Sequence, residues 1–303
     1  MQASARISVF RTTVSMMCTA IATFAFAACA SPGLSAPNLA QVSIPLTLAS
    51  ANITRPHANN VVIVIMENRD YDLVIGSPQA PYINKTLVPE AALMTNSHAI
   101  GHPSQPNYLA LFSGSTQGVT DDSCPHTFST ENVGAEMLAA NETFDGYSES
   151  MPQDGYTGCY SGEYARKHNP WVNFTNVPSA SNLVYTTFPT RPPMLSIIVP
   201  NLCNDMHDCS TRTGDDWLKK NLPPILKYNA SHNGLLILTW DEAAPDNNGK
   251  NQIPTLLIGP TVTPGSYNQH IDHYSVLRTV ETIVKVKCTA NACKAAELKK
   301  MWK

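Results

Sequence analysis

Val61-Val-Ile-Val-Ile-Met66 runs without a break into Glu67-Asn68-Arg69-Asp70, and this stretch decides the fold class. Six consecutive apolar residues, most of them β-branched, leave no polar face, so the segment suits a strand buried on both sides. Strands of that kind belong to parallel sheets covered by helices. The same pattern recurs twice. Leu195-Ser-Ile-Ile-Val199 runs into Pro200-Asn201 and Asp205-Met-His207-Asp208, and Leu235-Leu-Ile-Leu-Thr-Trp240 runs into Asp241-Glu242. Residues 215–228 and 274–285 have helical character between and after these runs, which makes the fold α/β. In such sheets ligands sit beyond the carboxyl ends of the strands, so the three polar clusters are expected to converge. Taken singly, an acid or Asn after a strand is also an ordinary cap or turn residue.

The rest of the composition narrows the classes. The chain has 303 residues, 43% hydrophobic and 14% charged, with a net charge of −3. Apolar content suffices for a core, which excludes a disordered or coiled-coil protein. The charge gives no reason to expect a nucleic-acid partner, because phosphate-backbone binding needs clustered Lys and Arg. No obligate protein partner is inferred.

The organisation expected is a signal peptide over residues 1–29, a flexible spacer over 30–59, and a single domain over 60–303. Arg6 and Arg11 precede a short apolar stretch with no acid. That is a secretory leader and is shorter than the ~20 apolar residues of a membrane span. Ala27-Ala28-Cys29 also allows lipid anchoring at Cys29, against soluble release to the periplasm or the medium. Six cysteines follow the leader. An even number in an exported chain favours disulfides over free buried thiols. Fifteen pairings are open. Cys203–Cys209 and Cys288–Cys293 are expected as local clasps and Cys124–Cys159 as a long-range link.

A fourth segment carries chemistry. In Gly101-His102-Pro-Ser104-Gln-Pro106-Asn107-Tyr-Leu-Ala-Leu-Phe112-Ser-Gly114 a short helix closes at Gly114, with Ser104 in its first turn. Ser104 there is either a cap or a nucleophile. A serine hydroxyl needs a base or cation to become nucleophilic, and a helix N-terminus favours an ionised oxygen or phosphate. Glu67, Asn68, Asp241 and Glu242 would offer a hard, oxygen-rich divalent cation site, for which Ca, Mg, Mn, Fe and Zn are all candidates. His207 and His273, flanked by acids, are candidates to protonate a departing alcohol or hold phosphate oxygens.

Several stretches together resemble the bacterial phosphoesterase family of secreted acid phosphatases and phospholipases C. They are Met66-Glu67-Asn68-Arg69, His102-Pro-Ser104-Gln-Pro106-Asn107, Lys167-His168-Asn-Pro-Trp, Asn204-Asp205-Met-His207-Asp208, Gly214-Asp-Asp-Trp217, Thr239-Trp-Asp241-Glu242 and His273-Tyr-Ser. The likeness is nearest to the short mycobacterial-type acid phosphatases, in which a Cys pair placed like Cys124 and Cys159 also occurs. It implies an alkaline-phosphatase-like three-layer sandwich with a mostly parallel central sheet. It also implies a metal at Glu67, Asn68, Asp241 and Glu242 with Ser104 as the phosphorylated residue, and His207 and His273 near the substrate. His102, Asn107, Lys167 and His168 are expected phosphate contacts. Asp205, with Asp208, would serve a second cation or orient His207.

The expected activity is hydrolysis of phosphate monoesters through a phosphoserine. Candidate substrates include a phosphoinositide or another phospholipid headgroup. The alternatives are a phospholipase C, a serine esterase and an exported binding protein. A serine esterase would need a Gly-x-Ser-x-Gly elbow, which does not occur.

Overall fold

The computed structural model describes residues 55–244 and 249–303. The expected signal peptide and spacer residues 30–54 lie outside the described residues. Among the described residues ten strands are formed: β1 (Val61–Met66), β2 (Ala92–Met94), β3 (Phe144–Glu149), β4 (Tyr160–Ser161), β5 (Tyr164–Ala165), β6 (Asn182–Tyr185), β7 (Leu195–Val199), β8 (Leu235–Trp240), β9 (Thr255–Ile258) and β10 (Gly265–Tyr267). The α-helices are α1 (Tyr71–Val74), α2 (Ser104–Ser113), α3 (Val133–Ala139), α4 (Thr211–His232) and α5 (His273–Val284).

Eight strands build one sheet in the order β10-β2-β9-β8-β1-β7-β3-β6. Strands β8, β1, β7, β3 and β6 run parallel, and β9 is antiparallel to both β8 and β2. The three runs with no polar face are thus three adjacent central strands. Every residue of β1, β7 and β8 is buried.

Strand alternation divides the core into two layers. Val61, Ile63 and Ile65 pack with Leu109 and Phe112 of α2 and with Val276 and Val280 of α5. Val62, Val64 and Met66 pack with Trp217, Leu218, Leu222 and Ile225 of α4. Helices therefore cover both faces, giving the three-layer sandwich. Each fully buried Val, Ile or Leu contributes roughly 1.5–3 kcal/mol relative to an exposed one, so burying β1 on both faces is a large favourable contribution to this sandwich.

Helix α4 extends beyond its expected ends to its caps, and α5 matches its expected span to within one residue. In α4, Ser210 accepts a bond from the Thr213 N–H and Asn233 closes the end at φ +56°. The helix even carries Pro223 and Pro224 inside it. In α5, Asp272 accepts from the Ser275 N–H. Helix α2 ends where expected, at Gly114 with φ +68°. A Cβ at Gly114 would also lie 2.3 Å from the Thr289 carbonyl oxygen, so only glycine fits there. All three expected disulfides, Cys124–Cys159, Cys203–Cys209 and Cys288–Cys293, are formed.

Candidate functional site

Sheet register brings the polar clusters together. Met66 pairs with Trp240 at the carboxyl ends of β1 and β8, so Glu67 and Asp241 emerge side by side. The loop after β7 joins them, because the Glu67 N–H donates to the Asp205 carbonyl at 2.8 Å and the Asp241 N–H to the Met66 carbonyl at 2.9 Å. Asn68 turns the chain at φ +45°, a conformation Asn tolerates better than most residues, and its N–H donates to Asp241 Oδ1 at 3.1 Å.

Helix α2 delivers Ser104 to the same place. Its N-cap is Pro103, and no side chain caps from that position. Ser104 is 1% exposed and its hydroxyl donates to Glu67 Oε2 at 3.0 Å. The capping alternative for Ser104 therefore falls, since its hydroxyl is spent on a carboxylate across the site.

The second oxygen of Glu67 faces an imidazole. Glu67 Oε1 lies 3.1 Å from His168 Nε2, yet the two make no hydrogen bond and neither has another partner. Two lone-pair atoms that approach without an N–H between them are arranged to share a third body. His207 completes this set, and the ligand atoms of Glu67, His168 and His207 all lie within 4.8 Å of one another. His207 Nδ1 sits 2.7 Å from Asp208 Oδ1, so Nδ1 carries the proton and Nε2 presents a lone pair, the arrangement common for imidazoles that ligate metals.

Other buried atoms nearby also lack partners: Asn68 Oδ1, Asp205 Oδ2 and Asp241 Oδ2. Burial, with Asp241 and Asp205 close by, pushes Glu67 well above the usual carboxylate range. Burial likewise raises Asp205 and pushes Asp241 up to about 6 and Glu242 up to about 9. Burial, followed by Lys167 and His207, drives His168 well below an ordinary imidazole. Buried carboxylates gathered this tightly call for a compensating positive charge. The donor set therefore fits a divalent cation. It is more nitrogen-rich than the sequence suggested, because two imidazoles join the carboxylates.

Some expected roles change with the geometry. His168, expected as a phosphate contact, is 2% exposed and wedged between Glu67 and Asp205, whose Oδ2 is 3.5 Å from Nδ1. His273 is buried and its Nε2 donates to the Asp241 carbonyl at 2.6 Å, so it steadies the β8 loop. Asn107 spends its amide on the backbone of residues 100–103, accepting from the Ile100 and Gly101 N–H groups and donating to the Gly101 and Pro103 carbonyls. Glu242 Oε2 accepts from His102 Nδ1 at 2.9 Å and from Asn107 Nδ2 at 3.3 Å, which ties the loop before Ser104 to the end of β8. Lys167 remains at the site, its ammonium 3.4 Å from His207 Nε2.

Sequence reasoning missed what holds the His168 segment. The Arg166 guanidinium donates to Asn173 Oδ1 and to the Thr157, His126 and Val172 carbonyls. Tyr108 of α2 stacks on His168 with ring centroids 5.1 Å apart. Arg69 donates to the Asn68 and Cys209 carbonyls and to Thr211 Oγ1, joining the loops after β1 and β7. Nothing in the residues around Arg69 or Arg166 signals these partners, because hydrogen bonds to distant backbone carbonyls leave no sequence pattern.

Comparison with known proteins agrees with this architecture. The family model described as Phosphoesterase family matches residues 77–287, more than half of the chain. A phosphatidylinositol-3-phosphatase of Mycobacterium tuberculosis is 43% identical over 253 residues, covering 82% of this chain and 84% of the relative. An acid phosphatase of Aspergillus fumigatus is 29% identical over 272 residues, and a probable acid phosphatase of Kluyveromyces lactis is 30% identical over 245. The matches cover 82% and 72% of this chain but only 60% and 56% of those two fungal proteins. Among solved structures, a protein in the alkaline phosphatase superfamily from Vibrio parahaemolyticus superposes with a TM-score of 0.57 at 14% identity, covering 79% of this chain and 70% of that one. That likeness speaks to the fold alone, which is the expected three-layer α/β sandwich with a mostly parallel sheet. The chain belongs to the Phosphoesterase family and is a phosphoric ester hydrolase.

Proposed function

We propose that this chain is an exported, metal-dependent acid phosphatase that hydrolyses phosphate monoesters, phosphoinositide headgroups among them, with Ser104 as nucleophile. The observation that carries this reading is the bond from the Ser104 hydroxyl to Glu67 Oε2, at the start of a helix and beside a cluster of unpartnered buried donor atoms. The relatives' names support the substrate class: one is a phosphatidylinositol-3-phosphatase, others are acid phosphatases. Three disulfides and a leader-like N-terminal sequence support export.

Glu67, His168 and His207 would hold the cation, with Asp205, Asp241 and Asn68 within the same group of unpartnered atoms. A divalent cation there supplies positive charge for the phosphoryl oxygens and eases loss of the Ser104 proton. The chain's own residues do the rest. Glu67 Oε2 takes the hydroxyl proton's hydrogen bond and aims Oγ out of the first turn of α2, where the helix N-terminus favours negative charge. Oγ passes its proton to Glu67 Oε2 as it attacks phosphorus, the P–O bond to the alcohol breaks, the departing oxygen takes a proton from the Lys167 ammonium or from water, and a water then hydrolyses the phosphoserine to serine and inorganic phosphate. Lys167 meets the phosphoryl or departing oxygen as a cation. Burial works against its charge, but the bond to Asp122 and the charges of Glu67 and Asp122 outweigh it, so the ammonium stays protonated.

The test is turnover of a panel of phosphate esters by wild type and Ser104→Ala, with metal analysis of the purified protein. Loss of about three orders of magnitude or more in kcat is expected for the variant. Wild-type rates in Ser104→Ala, or a protein free of metal that is fully active, would refute the reading. Release of a phosphorylated alcohol from phospholipid in preference to inorganic phosphate would favour the phospholipase C alternative.

A further inference from the structure

The geometry points to Asp122 as a positioning residue that holds the Lys167 ammonium at a fixed place relative to the nucleophile's helix. This rests on the phosphomonoesterase reading above and adds to it a residue outside every motif quoted for the family. Asp122 Oδ1 accepts from the Gln105 N–H at 3.0 Å, one residue past Ser104 in the first turn of α2. Asp122 Oδ2 accepts from Lys167 Nζ at 2.8 Å. One carboxylate thus spans the backbone beside the nucleophile and the cation beside His207.

Lys167 needs such a hold. Its ammonium is a point charge on a flexible four-carbon stem, and without an oriented acceptor it would sample many positions. The other atom within bonding reach is His207 Nε2 at 3.4 Å, which is itself in the candidate metal set. The pair is not an ordinary surface ion pair, because the Lys167 side chain is only 9% exposed and that of Asp122 30%. Both partners are anchored through one cross-link. Cys124, two residues beyond Asp122, is bonded to Cys159, and the Cys159 carbonyl accepts from the N–H of Arg166, next to Lys167. The sequence therefore brings a loop carrying an acid and a turn carrying a base to the same covalent staple.

A purely structural role is the competing account, since Asp122 also supplies the first turn of α2 with a side-chain acceptor that Pro103 cannot provide. Asp122→Asn separates the two, because an amide oxygen can still accept from Gln105 while the charge facing Lys167 is gone. Steady-state hydrolysis of p-nitrophenyl phosphate and inhibition by vanadate are measured for wild type, Asp122→Asn, Lys167→Met and the double variant. Asp122→Asn is expected to lower kcat/KM and weaken vanadate by roughly 10- to 100-fold, the range for a bond to a charged group. In the Lys167→Met background the same change should cost less than about twofold, because the residue acts through that lysine. Losses that multiply in the double variant, or an Asp122→Asn enzyme within about twofold of wild type, would overturn the assignment. If Asp122→Asn melts more than about 3 °C below wild type, Asp122→Glu is read instead. Recovery of more than half the wild-type kcat/KM is then expected, and no recovery overturns the assignment. Ser104→Ala run alongside keeps the outcomes apart: an active wild type and a dead Ser104→Ala leave the phosphatase reading standing whatever Asp122 does.

Discussion

Two regions bring side chains to the candidate site by different means. The loops after β1, β7 and β8 are carried there by adjacent parallel strands, and the ladder that aligns Met66 with Trp240 also aligns Glu67 with Asp241. The segment from Cys159 to Phe174 holds Lys167 and His168 with little regular structure beyond a two-residue hairpin and short 3-10 turns. There the Cys124–Cys159 disulfide, the four-acceptor grip of Arg166 and the Tyr108 stack take the place of a ladder. Damage to the first region should therefore appear as lost stability alone, and damage to the second as lost chemistry per folded molecule, whatever it also costs in stability.

The sharpest break is His168→Ala. It removes an imidazole from the candidate cation set and leaves Glu67 Oε1 facing nothing, so kcat should fall at least about 100-fold while the melting temperature of the metal-free protein changes little. Activity and thermal melts in the presence of chelator check both halves. Metal addition should raise the melting temperature of wild type and not of the variant.

Next comes the staple. Replacing Cys124 and Cys159 by Ser opens a link between positions 35 residues apart. Chain entropy alone makes that worth about 4 kcal/mol, against about 2 kcal/mol for the short Cys288–Cys293 loop. Denaturant melts of the two double-Ser variants should preserve this order, and only the first should lose activity in the fraction that remains folded.

A smaller effect tests the ladder. Ile63 lies at the centre of β1 with β7 and β8 on either side. Ile63→Val should cost about 0.5–1.5 kcal/mol in denaturant melts with kcat unchanged. A fall in kcat matching that of His168→Ala would erase the distinction between the two regions.

The smallest effect uses a third region as control. Glu281 of α5 accepts from the Thr289 N–H and hydroxyl at 2.7 Å each, and burial pushes its carboxyl from the ordinary 4.5 up to about 7. A raised acid favours the folded state below its unfolded value, and that contribution is lost as pH climbs from about 4.5 to about 7. Glu281→Gln should therefore gain on wild type in melting temperature across that window, with no change in KM.

How much of this could be read beforehand follows the same division. The central strands were legible because burial on both faces leaves them almost wholly apolar, with only Ser196 and Thr239 as exceptions, and the convergence of Glu67, Asp205 and Asp241 follows from parallel strands ending together. Ser104 was legible from the helix that Gly114 closes. Strand β3, Phe144-Asp-Gly-Tyr-Ser-Glu149, was not, because half-buried Asp145 and Glu149 and the Trp171 ring against Gly146 replace the usual apolar run with small and polar residues. His168 was visible as a residue of interest but not as a partner of Glu67. Its placement depends on a disulfide and on Arg166, and neither leaves a periodic trace. Asn107, expected as a phosphate contact, spends its amide on the backbone turn before Ser104, a use that leaves no separate mark in the sequence.

The central claim is that Ser104 itself takes the phosphoryl group. Rapid acid quench during turnover of a phosphate monoester, followed by mass spectrometry of the peptide that contains Ser104, tests it most directly. The account predicts one added phosphoryl group on Ser104 in wild type and none in Ser104→Ala. An unmodified Ser104 peptide at every quench time, with phosphate accumulating normally, would contradict it.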